Sequence, residues 1–233
     1  MAHDVPSTSQ VKKAGSRIRK FLRGDDPDPG HFYDAVETME RWRAAHYTPL
    51  VSANNGLRSR ARTIGVEAEV SQRLKRRQTI LDKLGREPNL DLSRMQDIGG
   101  CRAVVPTIDD LRRLEDRIRN GRLPVIRYSD YVQSPRESGY RGVHVVVSYE
   151  ERAVEVQLRT KVMHNWALAT EYYSAFVGEN LKQDGDHPVQ LFLRTASDIM
   201  AMQEYGEPVP DDMVQLHSER RLEASKHLRE SNR

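Results

Sequence analysis

Two acidic residues stand where neighbouring strands would bring them together. Residues 153–160 alternate apolar and polar side chains, which predicts a strand with Glu155 on the polar face beside Gln157 and Arg159. Residues 97–105 lead from a helical run through two glycines into a second apolar strand, with Asp97 at its start. Paired carboxylates suit a metal-assisted transfer to a hydroxyl, because one can hold a cation and the other can share it or take the proton. The structural alternatives are a solvated strand edge for Glu155 and a helix-end turn for Asp97.

A basic segment precedes these carboxylates. Between positions 70 and 86 the chain has six basic residues and one acidic residue, although 37 Lys and Arg against 34 Asp and Glu leave the whole chain only mildly cationic, at +3. A run of charge usually marks a solvated helix face. Clustered cations beside paired carboxylates are also a means of holding a nucleoside triphosphate with its metal.

Composition predicts an intracellular protein of moderate core size. Of the 233 residues, 37% are hydrophobic and 30% are charged. The sequence shows neither an apolar run of membrane-spanning length nor an apolar segment after the first charges, so we expect a cytoplasmic protein without a secretory signal or a membrane partner. Cys101 is the single cysteine, which excludes an internal disulfide, and its apolar surroundings predict a buried thiol.

Periodicity predicts an α+β fold in which a mixed β-sheet is flanked by helices, with helical extensions at both ends. The predicted helices cover residues 7–22, 31–46, 50–64, 79–85, 108–120, 160–176 and 187–205. The predicted strands cover residues 67–74, 101–105, 125–130, 140–149 and 153–160. Pro49 is expected to separate the second helix from the third. Beyond Pro210 the charged tail predicts either a lone amphipathic helix or a segment that orders on a partner. We divide the chain into an N-terminal helix and linker (1–30), a central domain (31–206) and a tail (207–233).

Familiar phosphate and metal motifs are missing from the sequence. It contains neither a P-loop nor a dinucleotide-binding glycine motif after a strand, and it lacks the protein-kinase signature set. His144 and His164 have no cysteine or histidine at zinc spacing, which argues against a structural zinc site. Any metal is therefore expected to be a hard cation on oxygen ligands, and Mg²⁺ with phosphates is the natural choice.

Several ordered motifs together resemble the RelA/SpoT synthetase domain over about residues 40 to 180. They are Arg73-Leu74-Lys75 with Lys83, Met95 to Arg102, Asp130-Tyr131-Val132, Ser138 to His144, Glu155 to Thr160, and His164-x-Trp166-Ala167. The resemblance implies a nucleotidyltransferase-like sheet. It also implies transfer of the β,γ-pyrophosphate of ATP to a ribose 3′-hydroxyl, an in-line reaction that depends on positioning and charge neutralisation.

The resemblance also implies roles for individual residues. Asp97 would ligate Mg²⁺, and Glu155 would orient or deprotonate the attacking hydroxyl while also touching the metal. The residues implied in ATP binding are Arg73, Lys75, Lys83 and Arg102. Those implied in acceptor binding are Tyr140, Arg141, His144 and Gln157, with Tyr140 stacked on the base. The structural alternatives are sheet packing for Tyr140, a satisfied histidine at His144, and a salt bridge rather than a phosphate contact for Arg159. His164 and Trp166 are expected to support the strand below them, and Trp166 is left out of the site.

The acceptor is the open question. The sequence shows no hydrolase-type or regulatory module, which favours a single-domain small alarmone synthetase. Gly142 stands where housekeeping synthetases usually have serine, and Thr170-Glu171 replaces the usual Glu-His. These departures resemble the toxic branch, which implies the 3′ CCA end of tRNA as acceptor, with an antitoxin protein as a possible partner. A basic first helix containing Lys12, Lys13, Arg17, Arg19 and Lys20 would suit an acceptor stem or form a solvated face.

The sequence is also compatible with two other functions. One is alarmone synthesis on GDP or GTP, and the other is a catalytically inactive nucleotide- or RNA-binding regulator. Asp97 and Glu155 argue against the inactive regulator, because two negative charges beside phosphates weaken simple binding. An oligomer is possible under any of these readings.

Overall fold

A computed structural model describes residues 5–182 and 185–230. The helices are α1 Thr8–Arg23, α2 Pro29–Ala44, α3 Tyr47–Thr63, α4 Arg77–Arg86, α5 Ile108–Arg119, α6 Lys161–Val177, α7 Pro188–Glu204 and α8 Asp211–Glu230, with a 3₁₀ turn at Leu92–Arg94. The strands are β1 Glu69–Leu74, β2 Gly99–Val105, β3 Val125–Asp130, β4 Val143–Tyr149 and β5 Arg152–Thr160. The predicted α+β class is confirmed.

The five strands form one mixed sheet in the order β1-β2-β5-β4-β3. Strands β2 and β5 are parallel neighbours, and the other pairs are antiparallel. Gly100 lies opposite Glu155, so the two strands expected to adjoin are central partners. The register also places Arg73, Arg102, His144, Glu155 and Gln157 on the same face, because paired residues and their second neighbours share a face.

Side-chain caps fix several helix starts where the sequence predicts them. Ser7 forms a capping box with Gln10, and Thr107 and Thr160 accept hydrogen bonds from the first turns of α5 and α6. Pro49 does not end α2, which already stops at Ala44; it lies in the first turn of α3. Proline is tolerated there because the first turn has no intrahelical partner for a backbone N–H.

The strand predicted from Tyr140 begins three residues later, at Val143. Gly139 and Gly142 have φ angles of +88° and +153°, and these conformations hold residues 139–142 in a loop. Tyr140 therefore reaches the site from a loop rather than from the strand.

Three apolar clusters pack the described part of the chain, and the first of them includes the sheet. One face of the sheet packs on α3 and α5, a second cluster joins α1, α2 and α4, and a third joins α6, α7 and α8. The charged tail is neither a lone helix nor an unstructured segment through residue 230. It forms α8 and packs along α7, with Ala224 buried and Nε2 of His227 lying 3.1 Å from Nε2 of His187.

The terminal helices share contacts with the central part of the chain. Val11 and Ile18 of α1 are fully buried beside Ile80 and Leu84 of α4. The division at residues 30 and 206 stays a prediction. Among the described residues, none of the helices is both long and apolar enough to cross a lipid bilayer.

Candidate active site

Two adjoining pockets open on the face of the sheet that carries the polar strand residues. The larger has a volume of about 500 Å³ and the smaller about 160 Å³. Asp97, Glu155 and Gln157 line both pockets. We call the smaller one the donor pocket and the larger one the acceptor pocket. The two carboxylates thus lie where a group bound in one pocket would meet a group bound in the other.

Asp97 lies in a cluster of lysines at the boundary between the pockets. Lys75 Nζ donates to its Oδ2 at 2.8 Å, and Lys83 Nζ lies 3.3 Å from the same oxygen. Lys75 follows β1 and Lys83 lies on α4, so two elements converge on one carboxylate. All three side chains are partly buried, which keeps their charges poorly screened by water.

The donor pocket is cationic. Arg73 and Arg102 lie on the adjacent strands β1 and β2 and line it together with Lys75. Burial lowers the pKa of the Arg102 guanidinium, and the charges of Arg159 and Arg73 lower it further. Cations that repel one another in a partly buried pocket create a site where a bound polyanion would relieve the repulsion.

Glu155 belongs to a closed ring of hydrogen bonds. Its Oε1 accepts from His144 Nδ1 at 3.0 Å, and its Oε2 accepts from Gln157 Nε2 at 2.7 Å. His144 Nε2 and the Tyr140 hydroxyl are 2.6 Å apart. Arg159 closes the ring by donating to the Tyr140 hydroxyl at 3.0 Å and to Gln157 Oε1 at 3.1 Å. The ring fixes the orientation of the Glu155 carboxylate at the floor of both pockets.

The same ring sets the charge of Glu155. Burial by itself would raise the pKa of this carboxyl group, but the hydrogen bond and charge of His144, the hydrogen bond from Gln157 and the charge of Lys75 outweigh it. The net result is a pKa of about 2. Glu155 is therefore ionised near neutral pH and is a hydrogen-bond acceptor in a fixed orientation.

Aromatic and arginine side chains form the wall of the acceptor pocket. Tyr131 meets the rings of Tyr140 and His144 edge-on, with centroids 5.7 Å and 5.3 Å away. The Arg136 guanidinium lies 4.4 Å from the Tyr131 ring centre, and its Nη2 donates to the Tyr131 hydroxyl. Tyr140 itself is only 6% exposed, so Tyr131 and Arg136 form the more open part of this wall.

Neither Tyr131 nor Arg136 has a role predicted from the sequence. Tyr131 belongs to the Asp130-Tyr131-Val132 motif, and its position directly after the strand predicted over residues 125–130 is the signal that points to it. Arg136 lies in a polar loop, where periodicity carries no information about direction. Arg127 and Lys182 also line the acceptor pocket, and neither was singled out.

Arg141 was expected to bind the acceptor, and the structure places it elsewhere. Its Nη1 forms a 2.7 Å ion pair with Glu204 of α7, and the two side chains are 4% and 10% exposed. The loop turns at Gly142, so Arg141 points into the body of the protein while Tyr140 points to the acceptor pocket. Within residues 5–182 and 185–230, Arg159 has no acidic partner at ion-pair distance and donates to Tyr140 and Gln157 instead of forming a salt bridge. It lines the acceptor pocket, and its contact with a phosphate stays a prediction.

The remaining residues lie as follows. His164 and Trp166 lie on α6 above the sheet, and Trp166 is buried, with its indole N–H donating to Leu193 O.

Among the described residues, no three carboxylate, histidine or cysteine side chains cluster closely enough to enclose a metal. Mg²⁺ usually binds one or two carboxylates together with substrate phosphates, so Asp97 and Glu155 beside a cationic pocket fit this ion.

Comparison with known proteins shows what the chain is similar to. Residues 72–174 match the family described as "Region found in RelA / SpoT proteins". The chain is 31% identical over 136 residues to GTP pyrophosphokinase YjbM of Bacillus subtilis, covering 54% of this chain and 62% of that protein. It is 27% identical over 136 residues to GTP pyrophosphokinase rsh of Brucella melitensis, covering 53% of this chain and 18% of that protein.

The fold has a counterpart of known structure. The crystal structure of small alarmone synthetase 1 from Bacillus subtilis bound to its product pppGpp superposes with a TM-score of 0.61 at 24% identity. The superposition covers 78% of this chain and 98% of that one. It extends beyond the matched region of the sequence and shows that the two proteins share one fold. At the level of sequence, the chain is similar to the region found in RelA/SpoT proteins over residues 72–174.

Proposed function

We propose that the protein is a pyrophosphokinase that transfers the β,γ-pyrophosphate of ATP to the ribose 3′-hydroxyl of a guanosine nucleotide. One observation carries this proposal: a cationic pocket and an aromatic pocket meet at Asp97 and Glu155. A group-transfer enzyme for two nucleotides needs two such pockets with the reacting atoms at their boundary.

The donor pocket suits the triphosphate of ATP. Arg73, Lys75 and Arg102 line it, whereas Lys83 lines the acceptor pocket and donates to Asp97 at the boundary between the two. Guanidinium groups can bind phosphate oxygens in a bidentate way, whereas the ammonium groups act as point charges. Mg²⁺, when bound, would neutralise phosphate charge, and Asp97 with Glu155 would hold it.

The transfer itself needs little covalent help from the protein. The 3′-oxygen forms a bond to the β-phosphorus of ATP, the bond from that phosphorus to the oxygen of the α-phosphate breaks, and AMP leaves. A carboxylate with a pKa of about 2 is a weak base, so Glu155 orients the hydroxyl by accepting its hydrogen bond. The proton passes to the Glu155 carboxylate late, as the phosphorus–oxygen bond forms and makes the hydroxyl acidic, and it is then released to water; a late proton transfer suits a loose transition state.

A guanosine nucleotide is the acceptor that the relatives support, since two of them carry the name GTP pyrophosphokinase. The tyrosine and arginine wall of the acceptor pocket offers stacking surfaces for a base. His144, Gln157 and Tyr140 would act through the ring that orients Glu155, rather than through separate contacts.

The second candidate acceptor is the 3′ end of tRNA, as in a translation-inhibiting toxin. The observation that favours it is the basic rim of the acceptor pocket, where Arg94, Arg127 and Arg136 are exposed. Exposed lysines on α1 add to this charge, and α1 packs beside the 3₁₀ turn that carries Arg94. Such a surface suits an RNA backbone. An antitoxin partner and an oligomeric assembly belong to this candidate as predictions.

The acceptor assay decides between these functions. Purified protein would be incubated with Mg²⁺, ATP labelled in the γ-phosphate, and GDP, GTP or deacylated tRNA. Label on GDP or GTP supports the proposed function, and label on tRNA selects the toxin. If none of the acceptors were labelled and the protein still bound ATP, both enzymatic functions would be refuted in favour of a nucleotide-binding regulator.

A further inference from the structure

Helix α7 braces the loop that presents Tyr140. We call residues 136–142 the acceptor loop. α7 lies outside the matched region at residues 72–174, yet it contacts this loop at two points. Ser197 Oγ donates to Gly139 O at 2.6 Å, and Glu204 accepts from Arg141 Nη1 at 2.7 Å. The acceptor loop is thus attached to α7 at Gly139 and at Arg141.

The contact at Gly139 is close. A Cβ atom added there would lie 3.0 Å from the Cα of Arg194 and 3.3 Å from the Cβ of Ser197. Gly139 also has a positive φ, so both the space and the conformation require glycine. The backbone of the acceptor loop therefore rests directly on α7.

Glu204 joins this loop to the catalytic strand. The second carboxylate oxygen of Glu204 accepts a hydrogen bond from the hydroxyl of Thr160. Thr160 is the last residue of β5 and the N-cap of α6. Glu155 lies five residues earlier on the same strand. One buried carboxylate thereby ties Arg141 of the acceptor loop to the strand that carries Glu155.

A buried ion pair of this kind is sensitive to the loss of either member. The Arg141 side chain is 4% exposed, and Nε and Nη2 are buried without a hydrogen-bond partner among the described residues. Removing the charge of Glu204 would leave this guanidinium buried and uncompensated, which favours movement of the loop toward water. Tyr140, next to Arg141, would move with it and open the ring around Glu155.

We infer that Glu204 is a positioning residue for the acceptor. It lies outside the matched region at residues 72–174 and holds Tyr140 and Glu155 in their positions relative to each other. It acts through Arg141 and Thr160 and does not touch the substrate. The cations that line the donor pocket lie on β1 and β2 or directly after β1, so ATP binding is expected to be largely independent of Glu204. This inference rests on the proposed function for its kinetic consequences only.

The kinetic test compares Glu204→Gln with the wild type. We expect the KM for the acceptor to rise about tenfold to hundredfold, as for a displaced positioning group, while the KM for ATP changes less than about twofold. Arg141→Met should give the same phenotype, and the double variant should be no worse than either single variant. Ser197→Ala removes one hydroxyl and should show a smaller shift in the same direction.

Val189→Ala is the matched control. Val189 is fully buried at the other end of α7, so its truncation lowers stability without removing a contact to the acceptor loop. We expect both KM values to stay near the wild-type values in folded Val189→Ala protein. If Glu204→Gln behaved like this control at equal thermal stability, the positioning role would be refuted.

A second measurement does not depend on the reaction. Gly139 N–H donates to Arg136 O at 2.8 Å inside the acceptor loop. Hydrogen exchange at this amide should accelerate at least about tenfold in ligand-free Glu204→Gln, with little change in β2. Unchanged exchange in the loop would overturn the inference even if no acceptor were found. Absence of transfer by the wild type would overturn only the proposed function.

Discussion

Replacing Glu155 by glutamine tests the electrostatics of the site most directly. Glutamine keeps the size of the side chain and removes its negative charge. In the structure that charge is held by His144, Gln157 and Lys75, which together lower the pKa of the carboxyl from 4.5 to about 2 despite its burial. Glu155→Gln should abolish transfer and leave ATP binding largely in place, because the donor pocket keeps its cations.

The same substitution has a predicted effect on stability. A pKa lowered from 4.5 to about 2 corresponds to about 3 kcal/mol by which the folded protein favours the ionised form. Because the folded pKa lies below the unfolded one, this stabilisation is complete above about pH 5. It decreases as the pH falls from about 4.5 through 2 and is lost below the folded pKa, where the carboxylate is protonated in both states.

The measurement is urea unfolding of wild type and Glu155→Gln between pH 2 and pH 8, in EDTA and without nucleotide. The tryptophans Trp42 and Trp166 are both buried and report unfolding by fluorescence. We expect the wild type to be more stable by up to about 3 kcal/mol above pH 5, with the difference shrinking steadily at lower pH. Glu67→Gln, at an exposed carboxylate before β1, is the control and should show a difference near zero throughout.

Two outcomes would refute this account of Glu155. A stability difference that stays constant from pH 5 to pH 2 would mean that the charge is not what the ring stabilises. A Glu155→Gln protein more stable than the wild type at pH 7 would mean that desolvation of the carboxylate exceeds the hydrogen bonds it receives. Surviving transfer activity in Glu155→Gln would separately remove its proposed role.

Three further predictions concern the pockets and the core. Lys75→Met should raise the KM for ATP about tenfold or more, since a charge-assisted phosphate contact is lost, whereas Arg76→Met, at an exposed neighbour, should change it little. Burial raises the pKa of the Cys101 thiol to about 12, so iodoacetamide at pH 8 should leave native protein unlabelled and label urea-unfolded protein once per chain; fast labelling of native protein would contradict its buried position. Asp130→Ala should lower stability by about 1 to 3 kcal/mol and raise the acceptor KM, because Asp130 Oδ1 holds the turn carrying Tyr131 by accepting from two backbone N–H groups; an unchanged KM in the destabilised protein would separate that turn from acceptor binding.

Local sequence determined much of the framework of the site. The period-two alternation of residues 153–160 set which face of β5 carries Glu155 and Gln157, and the burial of Val154 and Val156 agrees with it. Cap residues such as Thr107 marked helix starts. These features follow from near neighbours along the chain, so a single sequence contains the information.

Only the tertiary structure decided which residues meet across the fold. Arg141 and Glu204 are 63 positions apart, and Arg141 carries the same charge whether it faces a phosphate or a buried carboxylate. The alternation of the strand predicted over residues 140–149 puts Tyr140 and Arg141 on opposite faces, but it does not say that Arg141 meets Glu204 of α7. Likewise the packing of α8 on α7 depends on the fit between two helix surfaces, which the periodicity of either helix alone does not specify. The face of a strand on which a side chain lies depends on its near neighbours in the sequence, whereas the partner of a buried charge depends on the packing of the whole fold.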